Sequence, residues 1–392
     1  MLPLDGVKVI DLSHAAAGPF CAMLLADTGA EVIKIEPVGG EFFRNPANGS
    51  FLMNLSRNKR GMALDLSSEE GHEIALKLAA RADVIVESFT PGIMDRLGLG
   101  YDAISQINPM IVYCAISGFG QTGPYRERPA FDPVAQAMSG MMLATGEAGR
   151  PPVRVAPSTV DYGAAMLGAY QIALALLSRE KSGRGQMIDV SLFDTAVFYM
   201  GIFITNYSVT GQLPVREGSG AMTFSPYQVF ETKDKLVFIG VFNDRSWENL
   251  CMALGLDDLA ADSRYVTNDS RRQNRDELTK TLSQVLKQYG SDELVAKLMA
   301  ADVPCAPVLN VDEVIEDSQV IARGMVIEAD YPGKGKVKLV RSPINMSEKT
   351  LEFGTRAPLI GEHTNEILKE LDYSQTKIDQ LAKKGIISQY KS

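Results

Sequence analysis

The sequence predicts an α/β protein, a parallel sheet covered by helices on both faces and joined to a smaller α+β domain. Three observations predict it. Short β-branched runs at 7–12, Glu31–Glu36, 62–66, 83–87 and 110–116 are separated by helical stretches, the alternation that builds a parallel sheet. These runs are apolar nearly throughout rather than alternating, as strands buried on both faces are. Beyond about residue 221 the pattern changes. Tyr227, Val229 and Phe230 precede Lys233-Asp234-Lys235, and Leu236 and Phe238 follow, which reads as an antiparallel hairpin.

The elements follow in order. Between the first two strands, 19–29 reads as a helix with Pro19 in its first turn and Gly29 at its end. Ser67-Ser68-Glu69-Glu70 has the form of a capping box, with Ser67 as cap and Glu70 reaching back, for a helix through Arg81. A long helix over 161–181 carries Ala164, Ala165, Gly168, Ala169, Ala173 and Ala175, small residues that permit close packing. Ser182-Gly183-Arg184-Gly185 stops it. Residues 205–220 are polar and glycine-rich. The expected organisation is therefore a large domain beginning with 1–200, a linker at 201–220, a small α+β domain at 221–325, and a final segment at 326–392 that turns helical again from Pro358.

Composition limits the function. The 392 residues are 45% apolar and 22% charged, with a formal charge of −9. Such a chain fits a soluble globular protein and is poorly suited to nucleic acid or an anionic membrane surface, though a local basic pocket for one anionic ligand is compatible with it. The longest greasy stretch, 164–177, is short for a bilayer span and contains Tyr170 and Gln171. Cys21, Cys114, Cys251 and Cys305 are scattered, which argues against a disulfide framework and points to a reducing cytoplasm.

The chemistry is narrowed by counting. His14, His72 and His363 are the only histidines, and there is no GxSxG elbow and no Cys/His cluster. Serine-nucleophile and metal-hydrolase schemes thus lack their parts, and His72, on a charged helix, reads as solvated surface. Gly118-Phe119-Gly120-Gln121-Thr122-Gly123 follows a strand, but Pro124 and Pro129 break the chain where a dinucleotide-binding helix would have to open. A loop beside a ligand fits better. Carboxylates remain. Asp161 opens the long helix, where the helix dipole favours its ionised form; it is either a reactive group or an ordinary cap. Asp132, in Phe131-Asp132-Pro133, leaves the same two readings open. Arg96 and the Asn58-Lys59-Arg60 cluster are either phosphate contacts or surface charge.

These residues resemble the family III CoA-transferases, the CaiB/BaiF family. The resemblance spans Leu4 to about Ile387 and rests on LDGVKVID at 4–11, GAEVIKIE at 29–36, RNKRGMALDL at 57–66, SGFGQTGPY at 117–125, REKSGRGQ at 179–186 and PLIGEHTNE at 358–366. It implies a Rossmann-like large domain that binds CoA, completed by 326–392, and an interlocked homodimer. It implies a CoA-transferase moving CoA from a donor acyl-CoA to a small carboxylic acid, with the CoA thioester as substrate and no tightly bound cofactor. Asp161 matches the aspartate that attacks the thioester, and Asp132 an acidic position that supports it. The loop His14 to Pro19, with Ala16 and Ala17, matches the passage for the pantetheine, although many relatives have Gln where Ala16 stands. Leu64, Phe89 and Arg96 match CoA contacts, while Ser67 and Ser88 replace a lysine and an asparagine. Gly218 and Gly220 match a shielding flap. The same fold also serves 2-methylacyl-CoA racemases, whose catalytic histidine falls at Phe131, a residue that cannot exchange a proton. A non-catalytic CoA-binding protein is a further alternative. The acid pair stays open.

Overall fold

The computed structural model describes residues 1–44, 49–348, 351 and 353–390. It divides into two compact units. The large one comprises Met1–Gly140, Val155–Ile202 and Ser318–Ser392, the small one Met141–Arg154 and Phe203–Asp317.

The large unit is built on β1 (Lys8–Asp11), β2 (Glu31–Glu36), β3 (Lys59–Leu64), β4 (Val84–Glu87), β5 (Val112–Ser117) and β6 (Gln186–Ser191). The strand order is β3-β2-β1-β4-β5-β6, all parallel, and the terminal strand Ile387–Ser388 joins antiparallel outside β3. Val9, Val32, Val84 and Val112 are buried along the central strands, as expected where both faces are covered. The order reverses between β1 and β4. In such a sheet the carboxyl ends of the strands on either side of the reversal diverge and leave a crevice for a ligand.

Five helices matter for what lies there: α1 (Ala17–Asp27), α2 (Glu69–Ala80), α3 (Ile93–Arg96), α4 (Asp132–Met138) and α5 (Thr159–Ser182). The cap of α2 is Ser68, one residue later than expected, with its Oγ accepting from Gly71 N–H. Ser67 Oγ instead donates to Asp65, and Glu70 pairs with Lys384. Gly183 ends α5 in the left-handed conformation, as the stop signal predicts. The greasy 164–177 stretch belongs to this 24-residue helix, which by length and apolar content alone could cross a membrane. Ala164, Ala165, Gly168, Ile172 and Ala175 on its inner face are buried, and the helix packs on α1, β5 and β6.

Two further helices, α6 (Leu192–Tyr199) and α7 (Gly201–Thr210), follow β6. A linker over 201–220 is thus overturned in its first half. Ile202, Phe203, Ile204, Tyr207 and Val209 lie on a helix, and the polar Thr205, Asn206 and Ser208 between them gave the stretch a loop's composition. The small unit carries β7 (Tyr227–Glu231), β8 (Leu236–Gly240) and β9 (Cys305–Pro307), an antiparallel sheet with the hairpin at Lys233-Asp234-Lys235. Trp247, Leu250, Leu278, Leu282 and Leu294 fill its core. It ends at Asp317 rather than 325 and takes in 141–154. Back in the large unit, β10 (Val326–Tyr331) and β11 (Gly335–Val340) form a second hairpin.

Candidate active site

A cavity of about 810 Å³ opens in the large unit at the strand reversal. Its wall is made by the residues just past the strands: Leu12 to Ala15 after β1, Pro37 to Phe43 after β2, Asp65 to Ser67 after β3, Ser88 to Pro91 after β4, and Gly118 after β5. Leu64, Phe89 and Phe131 stand in this wall. Ala16 and Ala17 lie buried directly behind the 12–15 loop, at the start of α1. Arg96 ends α3, exposed and outside the wall, though Ile93 and Leu97 of the same turn line the cavity.

The loop after β1 is held by buried charge. Asp11 sits between Lys59 Nζ at 2.8 Å and Lys34 Nζ at 3.9 Å, and all three are almost fully buried. Lys34 also donates to Ser13 O and lies 3.7 Å from Glu41, while Lys59 donates to Pro19 O at 2.8 Å. Burial alone would raise the Asp11 carboxyl, but the two ammonium groups prevail and hold it below the usual range. Glu41 accepts from Ala15 N–H at 3.2 Å, and Ala15 has a left-handed φ of 61°. That conformation costs an alanine energy, so the charged cluster fixes a strained loop against the cavity. Asn58-Lys59-Arg60 is accordingly used up in structure. Asn58 bonds Asp27, Lys59 pairs with Asp11, and Arg60 pairs with Glu31, Glu366 and Glu370.

Across the reversal, Glu87 ends β4 and accepts from Phe89 N–H at 2.7 Å. Burial pushes its carboxyl up to about 7, against that hydrogen bond. Phe89 packs on the His14 ring with centroids 5.1 Å apart, and Ser88 Oγ accepts from His14 N–H at 2.9 Å. The β1 and β4 loops therefore form one wall. Arg128 lines the cavity with its guanidinium 3.9 Å over the Tyr125 ring. His72 is not solvated as expected: its Nε2 is buried against Gly98.

Asp161 is the third residue of α5 and is part-buried. It does not cap the helix. That position is taken by Asp132, whose Oδ2 accepts from Val160 N–H at 2.7 Å and Asp161 N–H at 3.2 Å. The helix dipole that the sequence expectation invoked for ionised Asp161 is outweighed. Burial, reinforced by the Asp132 charge, pushes its carboxyl up to about 7. Asp132 in turn does not cap α4, whose N-cap is Phe131, without a side-chain bond. Phe20 of α1 stacks on Tyr162 at 4.8 Å, which ties the start of α5 to the helix entered from the cavity loop. Gly163 lies under Tyr199 of α6, where a Cβ would come 1.6 Å from the hydroxyl. Gly218 and Gly220 lie in the small unit. There Gly218 N–H donates to Gly146 O at 2.8 Å, beside a bridge between Glu147 and Glu217.

The residues that sequence reasoning missed are Lys34, Glu41, Glu87, Arg128 and Gln136. Lys34 had a signal, a lysine inside a strand otherwise buried on both faces. The others are recognised only once distant segments come together.

A parallel α/β unit with a cavity at its switch point, and one buried and one part-buried carboxylate beside a helix N-terminus outside the cavity wall, fits a ligand-binding enzyme with carboxylates at hand. The chain belongs to CoA-transferase family III, whose model matches residues 4–364. It is 38% identical over 382 residues to the succinyl-CoA:mesaconate CoA-transferase of Haloarcula hispanica, covering 94% of this chain and 96% of the relative. It is 34% identical over 398 residues to the succinyl-CoA:glutarate CoA-transferase of Homo sapiens, covering 100% and 91%. A CaiB/BaiF family protein from Brucella suis has a similar structure, with a TM-score of 0.87 and 37% identity over 95% of this chain and 100% of that one. The protein is thus an enzyme that transfers CoA between an acyl-CoA and a carboxylic acid.

Proposed function

We propose that Asp161 is the nucleophile of this transfer. Its carboxylate attacks the donor thioester, giving an aspartyl anhydride and CoA thiolate. The thiolate returns to the aspartyl carbonyl, releasing the donor acid and leaving an aspartyl-CoA thioester. The acceptor carboxylate attacks that thioester, and the expelled thiolate then takes the new acyl group and regenerates Asp161. No net proton moves, and the thioester energy is conserved if water is kept out. The observation that carries this reading is the place of Asp161 in the first turn of α5, part-buried beside Asp132, with no cation paired to it among the described residues. Poor solvation makes its ionised form more reactive.

The cavity is the proposed CoA site, with Leu64, Phe89 and Phe131 along the ligand and the 14–19 loop passing the pantetheine. Arg128, and Arg96 just outside the wall, meet the phosphates. Gly218 and Gly220 serve as the flap. Short dicarboxylates are the proposed acids, because the relatives above are named for succinate, mesaconate and glutarate. The CoA thioester is a substrate, and no resident cofactor is needed. The enzyme works as an interlocked homodimer, supported by an exposed apolar stripe on α5 at Met166, Tyr170, Leu174 and Leu177. A reducing cytoplasm accords with the free thiols, Cys21 and Cys114 lying side by side without a bond between them. Incubation with succinyl-CoA and a panel of dicarboxylic and monocarboxylic acids, read by mass spectrometry of the acyl-CoA products, tests the substrate class. New acyl-CoA only from monocarboxylates would overturn it.

A further inference from the structure

Gln136 lies one turn after Asp132 on α4 and is completely buried. Its amide is used at both ends. Nε2 donates to Asp132 Oδ1 at 2.5 Å, and Oε1 accepts from Val155 N–H at 2.9 Å. With Oδ1 engaged, Asp132 turns Oδ2 to the N–H groups of Val160 and Asp161. One side chain thus links the 155 segment, α4 and the first turn of α5. The two bonds require opposite chemistry, a donor toward a carboxylate and an acceptor toward a backbone N–H. An amide supplies both. A glutamate would set an acceptor against Asp132, a methionine would make neither bond, and an asparagine is one methylene shorter.

We propose that Gln136 is a positioning residue of the transfer reaction, holding the Asp132 carboxylate against the first turn of α5 so that its charge stays beside Asp161. The inference rests on Asp161 as nucleophile. The titratable groups that act on Asp161 are few: Asp132 from α4 and the Tyr162 hydroxyl on its own helix, with the Tyr199 hydroxyl of α6 packed two residues on, at Gly163. Among the described residues no lysine or arginine pairs with either aspartate. A movement of Asp132 is therefore felt by Asp161 with little to mask it.

The distinguishing readout is the acidic limb of the kcat/KM profile. Gln136→Met removes the donor that anchors Asp132, which weakens the field at Asp161. The midpoint should fall by about half to one pH unit, and kcat should drop roughly tenfold with little change in KM for acyl-CoA. Gln136→Glu adds a second negative charge and should move the midpoint upward. In an Asp132→Asn background, Gln136→Met should leave the midpoint where Asp132→Asn has put it, because the two act through one charge. Circular dichroism and melting confirm folding of each variant. Either single variant, folded and with an unmoved midpoint, overturns the proposal, as does a full further shift in the Asp132→Asn background. Adducts trapped at residue 161 in the same samples separate the two levels. An adduct with an unmoved midpoint overturns Gln136 alone, whereas no adduct in the unmodified enzyme removes the nucleophile assignment and this inference with it.

Discussion

Asp11 is a fully buried and Asp161 a part-buried carboxylate of the large unit, and their surroundings push them in opposite directions. Asp11 lies between Lys34 and Lys59, and its carboxyl is held low. Burial, reinforced by the Asp132 carboxylate beside it, pushes Asp161 up to about 7. In the first region the charge is compensated and becomes scaffold, a cluster that fixes a strained loop. In the second, the charge is left uncompensated and becomes reactivity. Replacing one residue in each region probes different properties, and the comparison can be broken from either side.

The largest effect is expected at Asp161. Asp161→Asn keeps the shape and removes the attacking oxygen charge, so transfer should fall by on the order of a thousandfold or more, with an unchanged melt. Steady-state rates beside a thermal scan check this. Lys59→Met should do the reverse, because it strands buried Asp11 without its nearest cation. The cost is about 3–5 kcal/mol, read as a lowered denaturant midpoint, and any folded fraction should still form the Asp161 adduct while its KM for acyl-CoA rises as the loop loosens.

Acidity sharpens the contrast. Asp161 must be ionised to attack, and burial raises its midpoint, so activity is lost as pH falls through about 7. Below that, kcat/KM should drop about tenfold per pH unit. Asp132→Asn keeps an oxygen for the Val160 and Asp161 N–H groups but deletes the neighbouring charge, and should move the midpoint down by about one unit. A pH–rate series on both proteins checks the shift. The smallest effect is expected at the cavity wall. Phe89→Ala removes apolar surface against the ligand and should raise KM for acyl-CoA severalfold, about 1 kcal/mol, with kcat nearly unchanged.

What the sequence made legible follows the range of the interactions. The strands β1 to β5 could be read because burial on both faces demands apolar runs, and the end of α5 because a left-handed cap favours glycine at 183. Asp161 could be named as one of a few usable acids, and the resemblance selected it. Its acidity could not be read, because the dominant neighbours come from elsewhere: Asp132, 29 positions earlier, takes the capping role that Asp161 seemed to fill. Nothing local distinguishes Gln136 from any other helical glutamine. The α2 cap slipped by one residue because Ser67 and Ser68 are chemically equivalent and only geometry chooses between them. In α7, a helix with no buried residues lacks the periodic apolar face that marks one.

Mass analysis of peptides from enzyme mixed with succinyl-CoA and quenched within a single turnover puts the uncompensated aspartate to the most direct test. The account predicts CoA or acyl mass on the peptide that contains residue 161, removed by hydroxylamine and missing from Asp161→Asn. Rapid transfer with that peptide unmodified, or with the label on another side chain, would contradict it.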